Sequence, residues 1–393
     1  MEKRRLKLII ISTMNGFSWG GSEELWYETA KYATARGYTV EIIVFKNEPI
    51  SHKLIELSEQ IPIHFIEPAT PILPSLFKRI LLKILRRPVP VFYADRFNFI
   101  HGLNGDIILL SQGGASDLVY YPDLKQYLQQ NSKPLVIVNQ LFSDDTYLND
   151  AERQSLSEVY KKAIRVFFVS HQNREILERK LVMRFTDSEL VKNPVNLSST
   201  LILPWPVAEI INIAVVARLD INHKGLDLLL NVLSCTKWQR RNFILNIYGN
   251  GPHENYIREL IQFYKLEEKV LLKGHAGDVR KVWSENQLLV LPSRKEGMPL
   301  AVIEAMLCGR PVVVTNVGDS SLIVRNDETG WVAEAATTDH LQKALEQAWH
   351  HQNKWKEIGE QAHLVASAFI DKEPGKSFFE KIETLALAAT SNF

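Results

Sequence analysis

Two periods of apolar residues take turns along the chain. Short runs rich in Ile, Leu and Val recur at 8–12, Thr39–Phe45, 106–111, Leu135–Asn139 and 166–170, each closed by a polar or glycine-bearing loop. Runs of that length, apolar on both faces, are what strands of a covered parallel sheet look like. Stretches with helical spacing lie between them, among them 22–36, which Gly37 closes, and 172–180. Ser22 can cap the first of these helices, and Glu23 and Glu24 suit its positive end. The alternation predicts an α/β fold built on a doubly wound sheet.

The pattern then breaks and begins again. Residues 197–206 follow neither period and contain Pro204 and Pro206, the mark of a linker. Beyond it, strands are expected at 211–219, Phe243–Tyr248, 270–273, Leu288–Leu291 and 311–315, the last being the final clear strand. Helices are expected at 226–234, 299–309, 338–351, 355–368 and 376–389. We therefore expect two Rossmann-like domains, residues 1–200 and 205–375. A length of 393 residues agrees, being too long for one ordinary core.

Composition narrows the class. Hydrophobic residues make up 46% and charged residues 23%, with no run long enough to span a bilayer, which points to a soluble protein. The opening Met-Glu-Lys-Arg-Arg leads straight into the first strand, so no signal peptide is expected. A net charge of +1 gives no field to gather nucleic acid, and without a nucleic-acid motif no such partner is expected. Cys235 and Cys308 lie in apolar segments without metal-ligand spacing and read as reduced core residues of a cytoplasmic protein. One segment stands apart. On a helical wheel, residues 75–87 gather Leu76, Phe77, Ile80, Leu81, Ile84 and Leu85 on one face and Lys78, Arg79, Lys83 and Arg86 on the other. Such a helix can rest on the anionic inner face of a membrane, or pack on its own domain with the basic face in water.

Candidate chemistry falls at the carboxyl ends of the expected strands, where open α/β sheets bind ligands. After Leu288–Leu291 a charged loop carries Glu296 and Gly297, and Pro299 opens a helix that Gly309 ends. The N–H groups of Met298, Leu300 and Ala301 at that start would draw an anion such as phosphate. Glu296 and Glu304 would repel it unless they bonded hydroxyl groups. A diphosphate carrying a ribose and a sugar fits, with Glu304 on the ribose and Glu296 on the sugar. Arg218 and Lys224 leave one strand tip together and can straddle the diphosphate. Gly20, Gly21, Gly249, Gly251 and Gly274 would let backbone come close to the donor, with His275 beside the last of them. Gln112, Gln140 and Asp144 tip the amino-terminal strands as acceptor-side candidates or as turn residues. No Gly-x-Gly-x-x-Gly fingerprint and no metal-binding triplet accompany them. A plain βα unit with solvated acids is the alternative.

Glu296 and Glu304 carry a resemblance: their spacing resembles the Glu-x7-Glu motif of retaining GT-B glycosyltransferases, specifically glycosyltransferase family 4. Arg218-x5-Lys224-Gly225 resembles that family's diphosphate-binding pair, and Gly20-Gly21-Ser22-Glu23 its donor-facing first loop. The Gly249-Asn250-Gly251-Pro252 and Gly274-His275 loops resemble its floor for the nucleotide base. The resemblance implies two Rossmann-like domains facing a cleft, with a last helix (376–393) that crosses back to the first. It implies transfer of a sugar from a UDP or GDP sugar, with retention of configuration, to a glycan, a lipid-linked sugar or a small molecule. No cofactor or metal is implied, and the departing phosphate oxygen would take the acceptor's proton. The chain departs from the pattern at Asn139-Gln140, where many members carry a His, and at Leu322, where many carry a Glu. A non-catalytic nucleotide-sugar binder of the same fold, or an epimerase, is the alternative.

Overall fold

Two all-parallel sheets with the same winding form the framework. The computed structural model describes residues 6–67, 71–72, 92–93, 96–103 and 105–390. The first sheet holds β1 (Lys7–Ser12), β2 (Thr39–Phe45), β3 (Ile63–Ile66), β4 (Ile107–Gln112), β5 (Leu135–Asn139), β6 (Arg165–Phe168) and β7 (Glu189–Leu190), in the order β3-β2-β1-β4-β5-β6-β7. The second holds β8 (Ile211–Val216), β9 (Phe243–Tyr248), β10 (Val270–Gly274), β11 (Leu288–Leu291), β12 (Val312–Thr315) and β13 (Gly330–Ala333), in the order β10-β9-β8-β11-β12-β13. In each, the order reverses beside the first strand, between β1 and β4 and between β8 and β11. A crevice opens at such a switch point because the connections leave toward opposite faces.

Burial explains why the strands read as unbroken apolar runs. In β1, Leu8 and Ile10 belong to one core and Ile9 and Ile11 to another, on the opposite face. Successive side chains of a strand point to opposite faces, and both faces here are covered. The second domain has its own core around Leu245, Val290, Trp331 and Trp355. β13 corrects the expectation that the strand before it was the last. It is four residues long and begins at a glycine, too little for a periodic signal. The basic segment 75–87 lies outside the described residues. Among the described residues, no helix is long and apolar enough to cross a membrane.

Five helices frame the cleft or tie the domains together: α1 (Gly21–Ala35), α2 (His171–Leu181), α3 (Leu300–Leu307), α4 (Trp355–Phe369) and α5 (Pro374–Thr390). α5 returns to the first domain. Phe378 meets Phe167 edge-on with ring centres 5.1 Å apart, and Phe379 packs against Tyr32 and Tyr38. Tyr38 donates its hydroxyl hydrogen bond to Glu383, and Gly375 lies so near the main chain of Glu28 that a Cβ there would come within 2.6 Å of it.

The linker is pinned at the second domain by Arg310, which is 1% exposed. Its guanidinium donates to main-chain carbonyls of Trp283 (2.8 Å), Cys308 (3.0 Å) and Pro204 (2.7 Å). Burial lowers its pKa to about 10, which leaves it charged at neutral pH and satisfied by carbonyls.

Because Phe379 is fully enclosed between α1 and α5, Phe379→Ala should destabilise the protein by about 3 to 5 kcal/mol, the usual cost of emptying an aromatic core position. Urea unfolding followed by tryptophan fluorescence measures it; an unchanged midpoint would mean that α5 is not docked.

Candidate active site

The two switch points face each other across a cavity of about 630 Å³. The first domain contributes Thr13, Met14, Phe17, Gly20 and Gly21 after β1, Gly113, Gly114 and Asp117 after β4, and Gln140 after β5. The second contributes Arg218, His223 and Lys224 after β8, and the stretch from Lys295 to Ala301 after β11.

Arg218 lies two residues beyond β8, which ends at Val216 and not at 219 as expected, so it belongs to the loop. Its guanidinium is 3.8 Å from the ring centre of Phe17 in the other domain and donates to Asp220 at 3.0 Å. Lys224 Nζ donates to Glu296 Oε1 at 2.7 Å, and Ser293 Oγ donates to the same oxygen at 2.6 Å. Gly225 makes this meeting possible: with φ +60 it turns the chain just after Lys224, where a Cβ would come within 2.2 Å of Pro292 O. Burial holds the His223 imidazole below its ordinary value, so it is neutral at pH 7.

α1 and α3 both begin at the cavity, and no side chain caps either start. Their first N–H groups, which have no acceptor within the helix, therefore add positive potential to that of Arg218 and Lys224. The approach is close enough to require glycine. A Cβ on Gly297 would come within 1.8 Å of Gln140 O, and one on Gly21 within 2.9 Å of Leu300 Cδ1. Gly297, Met298, Pro299, Leu300 and Ala301 all line the cavity, as expected from the sequence.

Seven expected residues do not line it. Gln112 is fully buried, donating to Asn139 Oδ1 and Tyr160 OH beneath the sheet edge. Asp144 is exposed and paired with Arg179 at 2.6 Å. Gly249 and Gly251 serve loop packing: a Cβ on either would strike the main chain at Ala217 or Leu219. Gly274, with φ +69, accepts from Gly249 N and so ties that loop to β10, while His275 is exposed. Glu304 is one turn too deep. The residue is 5% exposed and its carboxyl accepts from Asn196 N at 2.9 Å, so the stretch just before the linker covers it.

Other cavity residues escaped the sequence reading. Asp117 Oδ2 accepts from Thr13 Oγ1 at 2.6 Å and from Gly114 N at 2.9 Å, and burial raises its pKa to about 6. Asn193 lines the wall beside Gln140. Lys295 reaches across to Asp145 at 2.7 Å. Asp319 of the second domain accepts from the main-chain N–H groups of His171 and Gln172, at 2.5 and 2.9 Å, and so caps α2 of the first. A Gly-Gly followed three positions later by Asp was the one available sign of Asp117; Asn193 meets Gln140 only in the folded first domain, and the contacts of Lys295 and Asp319 form only across domains.

Glu304 gives a pH signature. Burial raises its pKa from 4.5 to about 7, so its contribution to stability is complete below about 4.5 and is lost as pH rises through about 7. Glu304→Gln removes that loss while keeping an acceptor for Asn196. Relative to wild type, the variant should gain up to about 3 kcal/mol between pH 5 and pH 8, as an upper bound. Parallel stability curves over that range would show that Glu304 ionises freely.

Comparison with known proteins agrees with this geometry. Residues 209–365 match the family model described as glycosyl transferases group 1. The chain is 29% identical over 118 residues to N-acetyl-alpha-D-glucosaminyl L-malate synthase of Bacillus anthracis, covering 30% of this chain and 31% of that protein. It is 33% identical over 100 residues to UDP-Gal:alpha-D-GlcNAc-diphosphoundecaprenol alpha-1,3-galactosyltransferase of Escherichia coli, covering 25% and 26%. The first curated relatives are each matched over less than half of their own length. Over the whole chain, the crystal structure of Anabaena Alr3699/HepE in complex with UDP superposes with a TM-score of 0.70 at 18% identity, covering 97% of this chain and 100% of that one. Residues 209–365 thus match the glycosyl transferases group 1 model, in a chain with the two-sheet GT-B fold.

Proposed function

We propose that this protein transfers a sugar from a UDP or GDP sugar to an acceptor hydroxyl, with retention of configuration. One observation carries the reading. Arg218, Lys224 and the uncapped start of α3 converge on a single cavity at the facing switch points of two Rossmann-like sheets. That is a site for a diphosphate whose charge the protein handles itself, without a metal. Glu296 stands at the same spot with one oxygen engaged by Lys224 and Ser293, so Lys224 links the phosphate side of the cavity to the sugar side. UDP is favoured by two of the relatives, one named for a UDP-Gal donor and one solved with UDP. The Escherichia coli relative also names a diphosphoundecaprenol-linked sugar, and an acceptor of that kind would suit a cytoplasmic enzyme that works at the membrane's inner face.

In this reading the diphosphate lies between Arg218 and the start of α3, and charge grows on its bridging oxygen as the sugar departs. A fixed cation there binds the transition state better than the ground state. The departing phosphate oxygen takes the acceptor's proton on the same face, which gives retention without a protein nucleophile. The first test is calorimetric titration of the full chain with UDP and GDP, followed by assay of nucleotide release from their sugars. Absence of binding to both would end the proposal.

Lys224→Ala should lower turnover at saturating donor by about two to three decades, with a smaller change in donor affinity. Arg218→Ala should act alike, and the double variant should lose less than the product of the two, since both act on one diphosphate. Steady-state kinetics on variants with unchanged circular dichroism decide it; near-normal turnover in Lys224→Ala would make the lysine only a partner for Glu296.

A further inference from the structure

One aromatic side chain at the cavity takes no part in the cores that hold the fold. The loop after β1 runs Met14-Asn15-Gly16-Phe17-Ser18-Trp19. Met14 N donates to Ser12 Oγ at 3.2 Å and Gly16 N to Asn47 Oδ1, just beyond β2, at 2.8 Å, so the loop is pinned on both sides of Asn15. Gly16 has φ +88, a conformation that side chains rarely adopt, and it turns the chain immediately before Phe17. Two residues on, Trp19 packs against the core of the first domain. Phe17 belongs to none of the three apolar cores and lines the cavity instead, with its ring centre 3.8 Å from the guanidinium carbon of Arg218 in the second domain. A half-buried phenylalanine that packs in no core needs another reason for its place.

The shape of a guanidinium supplies one. Its N–H groups lie in one plane and donate outward from the edges, while its two faces donate nothing. Arg218 Nη2 donates to Asp220 at 3.0 Å, and no other hydrogen bond of this guanidinium forms among the described residues. A single bond leaves the plane free to swing about it. At 3.8 Å the Phe17 ring must lie face to face with the guanidinium, because an N–H aimed at the ring would push its nitrogen into the ring carbons. Cation and ring attract in that position, so the swing is stopped without any donor being used. The ring comes from the opposite domain and is in place only while the cleft is closed. We propose that Phe17 is a positioning residue that holds Arg218 in the plane it needs toward the diphosphate and makes that plane depend on closure of the two domains. The proposal rests on the nucleotide-sugar reading above and adds a residue that acts through Arg218, since a phenyl ring has no donor to offer a phosphate.

The experiment is a double-variant cycle on the full chain, read as the calorimetric Kd for UDP or GDP, whichever wild type binds more tightly. The free diphosphate carries the charge that grows as the sugar departs, so its Kd reads the contact without an acceptor. Phe17→Leu keeps an apolar side chain and loses the ring, and it should raise Kd about tenfold, the upper range for a desolvated contact between a cation and a ring. Phe17→Tyr and Phe17→Trp keep a ring and should restore most of the affinity, which a merely structural role for the loop would not require. In an Arg218→Ala background Phe17→Leu should change Kd by less than about twofold, because the ring then has no cation to hold. Circular dichroism checks each variant, and Phe17→Met replaces a leucine variant that does not fold. An equal loss with and without Arg218 overturns the proposal, since the ring would then act on the nucleotide directly. An unchanged Kd in Phe17→Leu also overturns it, while leaving the nucleotide reading in place. A wild type that binds neither diphosphate removes both.

Discussion

Main chain meets main chain across the cleft, and most of the site depends on it. At Gly297 the second domain comes so close to the carbonyl of Gln140 that no side chain fits between them. Gly318 supports the same loop from within the second domain, where a Cβ would come within 2.6 Å of Glu296 O. These two glycines set where Glu296 stands, and Glu296 in turn holds Lys224. A catalytic arrangement is only as exact as the backbone beneath it, and here much of that backbone is held by contacts that tolerate nothing larger than hydrogen.

The acids around the cleft are sorted by how they are satisfied. Glu296 is buried beside a lysine and a serine hydroxyl, a pairing that keeps a carboxylate at the cavity at tolerable cost. Glu23, at the first turn of α1, is buried with Ser12 and Trp26 as partners and no cation, and its pKa rises to about 7. Glu304, which has only Asn196 N, behaves alike. At neutral pH the two deeply buried acids thus carry only part of their charge, so they add little to the carboxylates of Asp220 and Glu296 that already pair with Arg218 and Lys224.

Much of the fold was legible because both sheets are covered on both faces. A strand such as β9 or β11 then shows as a continuous apolar run with sharp ends, and both were placed without error. β13 was missed because four residues opening on glycine carry no period. In the site, local spacing was enough for Arg218, Lys224 and Glu296, which the β8 and β11 loops bring together within one domain. It failed for Gln112 and Asp144 because a strand tip does not say which way its last side chain turns: Gln112 points beneath the sheet and Asp144 out to solvent. It failed for Asn193 because that residue reaches the cavity only when the stretch after β7 comes to lie beside the end of β5. Glu304 was found as a motif, but its cover, Asn196 just before the linker, is distant in sequence and could not be read from the spacing.

The second cap on α2 bears on timing. Ser170, from the same domain, accepts from Asn173 N at 3.2 Å, while Asp319 from the other domain holds the two N–H groups before it. When the domains part, the helix keeps its own serine and gives up the borrowed carboxylate together with the bonds of Gln172 to Gly318 N and of Asn173 to Glu296 O, all at its first turn, so the helix itself need not unfold for the cleft to open. Contacts confined to the end of one helix can be broken and remade without unfolding either domain, and domain motions of that kind run on the microsecond to millisecond scale.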